Sequence, residues 1–202
     1  MHPADIYAAL MQHPVQAPDA HAVACILAVA LWEAGEAGCP VTETTGLSGD
    51  DLGDLAAGFF PQARALFAGL QGLPQPQAGA DEACLRDLLR RGTTAGTLLE
   101  LRLADMLARR SLRSNHLWQD LGLRHRDELS ALMTRHFAPL ARRNSADMKW
   151  KKFFYRTLCR DEGAMLCAAP SCAECDDFEG CFGDESGESL LARARRAADL
   201  VA

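Results

Sequence analysis

From Ala22 to Trp32 every residue is apolar, and this run limits the folds open to the chain more than any other feature. A helix that is apolar all round has to be covered on all sides. The run is far short of the roughly 20 residues a helix needs to cross a bilayer, so it reads as a core helix. The helical pattern extends from about Asp19 to Glu36 and is closed by Gly35, Gly38 and Pro40. The chain must therefore supply further apolar faces to wrap it.

It supplies them at helical spacing. After a Gly- and Thr-rich connector from Cys39 to Gly49, Asp50 and Asp51 suit the start of a second helix running towards Gly69. Pro61 lies inside it and should kink or split it. The clearest linker is Gly72 to Gly79, punctuated by Pro74 and Pro76. Helices are predicted at about Asp81–Arg91 and Thr97–Ser111. In the latter, Leu98, Leu101, Ala104, Leu107 and Ala108 recur at helical spacing, and Glu100, Arg102, Arg109 and Arg110 are expected to stay solvated. Leu117–Leu121 reads as a helical turn ended by Gly122. Asp127–Arg142 reads as a long helix bent by Pro139, and Asp147 as the N-cap of a helix reaching about Arg160. A short helix is predicted near Ser189–Val201.

No strand pattern or internal repeat competes. Aromatic residues make up 6% of the chain, and Ala and Leu dominate, which suits close-packed helices. The expected fold is all-α with a C-terminal cysteine-rich metal-binding loop. Its parts are residues 1–72 (N-terminal helices), 80–160 (central helices of the same core), 161–184 (the loop) and 185–202 (the C-terminal helix).

A net charge of −6 and a pI near 5.5 argue against nucleic acid as a general partner. The N-terminus has no basic stretch followed by an apolar run, so no secretory signal is read. With no membrane span either, the expected compartment is the cytosol, where structural disulfides are rare. Eight cysteines then need another explanation.

Four of them supply it. Cys167, Cys172, Cys175 and Cys181 are spaced C-x4-C-x2-C-x5-C, with Pro170, Ser171 and Gly180 as turn formers between them. Iron–sulfur clusters are commonly held by four thiolates from such a compact run. Zinc draws four sulfurs to about 2.3 Å from one point, usually from two C-x2-C knuckles, and one knuckle is present here. The spacing favours a cluster, with zinc or disulfides as alternatives. Cys25 and Cys84 are expected as small buried hydrophobes, and Cys39 lies in a loop. Cys159 could be a fifth thiolate near the cluster, although packing is the more ordinary role. His116 and His136 are expected as structural or surface residues, as are His2, His13 and His21, and His125 sits in an exposed-looking Arg-His-Arg run.

Charge divides sharply around the loop. Arg142 to Arg160 holds seven basic residues and one acid, whereas Asp161 to Glu188 holds nine acids and no Lys or Arg. A solvated face is the ordinary reading of either half. On the basic helix, Lys149, Lys152 and Arg156 share one side, and Trp150, Phe153, Phe154 and Leu158 form an apolar side for the core. The basic side could meet an oxyanion or an acidic partner. No Ser/His/Asp set, phosphate-cradling loop or acid pair suggests turnover, so no enzyme activity is expected.

The run Asp147-Met-Lys-Trp-Lys-Lys-Phe-Phe-Tyr-Arg-Thr-Leu-Cys159, with Ala169-Pro-Ser-Cys-Ala-Glu-Cys175 and Cys181-Phe-Gly183, closely resembles the NifQ family of nitrogen-fixation proteins. Leu117-Trp-Gln-Asp-Leu-Gly-Leu123 and Arg135-His-Phe-Ala-Pro-Leu-Ala-Arg-Arg-Asn144 fit the same family. The strong match runs from about Leu117 to Asp184, and residues 1 to about 110 show compatible helical character. The resemblance implies a carrier that donates molybdenum to assembly of the nitrogenase iron–molybdenum cofactor. It implies a molybdenum–iron–sulfur cluster, or an iron–sulfur precursor, on Cys167, Cys172, Cys175 and Cys181. The implied partners are the cofactor scaffold complex, the nitrogenase iron protein and a molybdenum source such as molybdate. An electron-transfer or redox-sensing iron–sulfur protein and a structural zinc module are the alternatives.

Overall fold

A computed structural model describes residues 1–15, 17–161, 185 and 191. All secondary structure among them is helical, as the apolar periodicity predicts. Helix α1 (Pro3–Leu10) was not foreseen. It is short and opens on a proline, which suits a first turn, and it buries Ile6 and Leu10. It packs on α2 (Ala20–Ala37). By length and composition α2 could span a membrane, but here it is the core helix: every residue from Val23 to Ala30 is fully buried. It ends at Gly38, whose left-handed backbone (φ 62°) lets its N–H return to the Ala34 carbonyl.

The Gly- and Thr-rich connector contains a further unforeseen helix, α3 (Val41–Thr45), packed on α2. Thr44 and Thr45 can be buried because their hydroxyls have backbone partners. Thr44 Oγ1 donates to the Ala30 carbonyl at 2.9 Å and Thr45 Oγ1 to the Val41 carbonyl at 2.8 Å. Helix α4 (Gly49–Phe59) is capped by Ser48, whose Oγ accepts the Asp51 N–H at 3.1 Å. Pro61 does split the predicted second helix, and a 3-10 helix (Pro61–Phe67) follows. The linker at 72–79 has no helix up to Gly79, yet Gln75 ties it down through the Gly46 carbonyl and Asp105, both at 2.8 Å.

Helices α5 (Ala80–Arg91) and α6 (Leu98–Ser111) pack against each other. Thr97 and Glu100 form a reciprocal cap on α6. Three expectations for α6 are corrected. Glu100 is buried, because its carboxylate accepts the Ala95 and Thr97 N–H groups at 2.9 and 3.1 Å. Arg110 is wholly buried, because Glu33 and a carbonyl meet its guanidinium, while Leu98 is exposed.

The turn at 117–121 is α7 (Leu117–Asp120). It lies close against α2: a Cβ at Gly122 (φ 72°) would stand 2.7 Å from Val29 Cγ2. The single helix predicted over 127–142 is two, α8 (Arg126–His136) and α9 (Ala138–Arg143). Phe137 leaves helical geometry between them, and Pro139 occupies the first turn of α9, where a missing N–H costs nothing. Helix α10 runs from Trp150 to Asp161, so Asp147 is not its cap. Asp147 instead takes a left-handed backbone (φ 53°). The loop before α10 is closed by Asn144, which pairs with the Met148 N–H and carbonyl, each at 2.9 Å. Of the helix predicted at 189–201, Leu191 is described; it is helical and buried in the core.

Candidate metal centre

Cys167, Cys172, Cys175 and Cys181 lie outside the described residues. The structure does describe the helix that leads into them and the contacts that hold it. On α10, Trp150, Phe153 and Phe154 are buried, and their ring centroids stand 5.8–6.0 Å apart in edge-on and tilted pairs. Leu158 packs partly on the core. Lys152 is exposed and Lys149 and Arg156 half-buried. The apolar side therefore turns inward, as the sequence indicates, and it fixes the rotation of α10.

Lys151 belongs to neither face. Its Nζ is 2.6 Å from Asp120 Oδ2 on α7, and that carboxylate is almost fully buried. Burial pulls the lysine below its ordinary pKa, outweighing the opposite pull of Asp120. Asp120 also accepts from Asn115 Nδ2 at 2.9 Å, and its carbonyl accepts from Arg110 Nε at 2.8 Å. Arg110 in turn forks onto Glu33 of α2 at 2.5 and 2.9 Å, where Arg113 joins at 2.9 Å. One polar chain thus links α2, α6, α7 and α10. Sequence reasoning missed it, since its members are far apart along the chain and each looks like a solvated charge.

The histidines sort as their surroundings dictate. His136 is buried, with Nε2 3.0 Å from Asp19 and Nδ1 3.8 Å from Glu100, a structural setting. His21 Nδ1 meets the Tyr7 hydroxyl at 2.8 Å and Nε2 meets Glu128 at 3.2 Å. His125 is largely exposed. His116 precedes α7, and its Nδ1 lies 3.5 Å from Glu185. Among the described cysteines, Cys25 is buried as expected, Cys39 and Cys159 are half-buried, and Cys84 is half-buried instead of buried. Cys84 shares α5 with Leu85 but sits one residue round, away from the apolar line of Leu85, Leu88 and Leu89. Among the described residues no three His, Cys, Asp or Glu side chains are grouped to hold a metal ion.

The chain matches the family model described as NifQ over residues 22–183, well beyond the stretch whose motifs carry the resemblance. It is 43% identical over 171 residues to a protein named NifQ homolog from Sinorhizobium fredii, covering 85% of this chain and 74% of the relative. It is 41% identical to Protein NifQ of Rhodobacter capsulatus, covering 82% and 91% respectively. With Protein NifQ of Azotobacter vinelandii it shares 44% identity over 101 residues, about half of each chain. No solved structure is significantly similar to the chain.

Proposed function

The chain belongs to the NifQ family of nitrogen-fixation proteins, and from that premise we propose that it is a molybdenum carrier for assembly of the nitrogenase iron–molybdenum cofactor. The cargo is a molybdenum–iron–sulfur cluster, or its iron–sulfur precursor, held by Cys167, Cys172, Cys175 and Cys181. The observation that carries this reading is the four-thiol run itself, which falls inside the family match. Its donor chemistry fits the cargo, because soft thiolates suit iron and reduced molybdenum in a sulfide cluster. The recipients are the cofactor scaffold complex and the nitrogenase iron protein, the metal source is molybdate or a related species, and the work takes place in the cytosol. The protein binds and hands over without turning over a substrate.

The residues around the cargo have separable tasks. The buried aromatic side of α10 and the Lys151–Asp120 pair fix how α10, the helix that precedes the cysteine run in sequence, sits on the core. Lys152 and Arg156 on α10, with Lys149 just before it, place positive charge there, suited to molybdate or to an acidic recipient surface.

Reversing those three charges together to Glu is expected to slow molybdenum loading or transfer by about tenfold or more at low salt. Circular dichroism should show the helical content retained. Loading and transfer at the wild-type rate would contradict a role for this face.

A further inference from the structure

The base of the helix that leads into the cysteine segment and the chain beyond its last cysteine meet the same side chain. Arg126, at the start of α8, donates through Nη2 to the Asp147 carbonyl and Oδ1 at 2.8 Å, and to the Met148 carbonyl at 3.1 Å. These groups form the base of α10. Its Nε faces Glu185 Oε2 at 3.8 Å, beyond the last cysteine. On the other side of that carboxylate, Glu185 Oε1 lies 3.5 Å from His116 Nδ1.

Glu185 is not a surface acid in a passing contact. Its side chain is 6% exposed, and a carboxylate removed from water needs positive or donating neighbours. Arg126 Nε is itself buried and has no hydrogen-bond partner among the described residues, so a shift of about 1 Å in Glu185 would give both groups a charge-assisted bond. A second contact lies a few residues on, where Leu191 is buried in the apolar core. Helix α10 is about 18 Å long for its twelve residues, and Glu185 lies at its base, beside Arg126.

We propose that Glu185, held between His116 and Arg126, is a positioning residue for the metal-binding thiols. The proposal rests on the reading of the four cysteines as cluster ligands. Holding Glu185 on the guanidinium that also holds the base of α10 ties the far end of the segment to the helix that leads into it, and so lowers the entropy that the thiolates lose when they converge on a cluster. Helix α7 supports both sides, with Asp120 holding Lys151 of α10 and His116, just before the helix, facing Glu185. None of the three clasp residues is assigned to touch the metal.

The test uses full-length wild type, Glu185→Gln, Glu185→Asp, His116→Gln and the Glu185→Gln/His116→Gln double variant. Each is reconstituted anaerobically with ferrous iron and sulfide, then challenged with EDTA while the visible absorption of the cluster is followed. Glu185→Gln and His116→Gln should each lose the cluster about 3–10-fold faster than wild type. The double variant should be no worse than the poorer single one, since both remove the same contact. Glu185→Asp keeps the charge and should fall between wild type and Glu185→Gln. Wild-type retention in Glu185→Gln, multiplying effects in the double variant, or Glu185→Asp no better than Glu185→Gln would each overturn the proposal. If wild type itself takes up no iron, the reading of the cysteines fails first, a result distinct from a loaded wild type with unaffected variants.

Discussion

Cys172→Ser is expected to lose most of the cluster, at least about a tenfold fall in iron and sulfide per chain, while the helical domain stays folded. Serine is nearly the same size but offers a hard, weakly acidic hydroxyl in place of a soft thiolate, so it competes poorly for iron in a sulfide environment. Cys172 is half of the single C-x2-C knuckle, so on the proposed reading its loss removes the most closely spaced pair of thiols in the segment. The fold should tolerate the change because the core is built elsewhere. Apart from Leu191, the described core residues run from Ile6 to Phe154, upstream of all four cysteines of the run. Iron and sulfide assays read the first half of the expectation and a circular-dichroism melt the second. Wild-type metal content would refute Cys172 as a ligand, and collapse of the helical signal would refute the independence of core and segment.

The largest effect on stability is expected at Arg110. Arg110→Ala should destabilise the metal-free protein by about 3–5 kcal/mol, because it breaks a buried ion pair from one side. The guanidinium has no solvent contact, so water does not replace what is lost. Glu33 would keep Arg113 but lose the fork, and the Asp120 carbonyl would lose both of its Arg110 donors. The same deletion leaves a cavity where α2, α6 and α7 converge. A loss of that size is a large share of the roughly 5–15 kcal/mol that holds a domain together. Urea denaturation of both proteins measures it. A difference below about 1 kcal/mol would show that Arg110 has neighbours able to compensate.

Those two residues also mark what could and could not be read in the sequence. The four-thiol run can be picked out of the sequence because ligand chemistry depends on residue type and local spacing, both visible in one stretch of chain, and it lies outside the described residues. Helix α2 was legible for a similar reason: an unbroken apolar run leaves no alternative to burial. Arg110 was misread, since periodicity counts any charge as outward and cannot see Glu33 waiting on another helix. Glu100 is buried for a local reason, its partners being backbone N–H groups at its own helix start, in a Thr-x-x-Glu cap that the sequence does carry. Helices α1 and α3 escaped notice because they are short and owe their stability to α2. Asp147 looked like a cap by type, yet Arg126 holds it outside the helix in a left-handed turn. The clasp around Glu185 had no local signal at all, since its three members come from separate parts of the chain.

The claim that the protein carries molybdenum on its cysteine segment is tested most directly by anaerobic isolation with iron, sulfide and molybdenum analysis, together with EPR of the protein as isolated. A brown protein containing all three elements, with a paramagnetic cluster signal that Cys172→Ser abolishes, is the predicted result. Iron and sulfide without molybdenum, even after loading with molybdate, would contradict the carrier role and favour an electron-transfer or sensing protein. A colourless protein with one tightly held zinc would contradict the cluster itself.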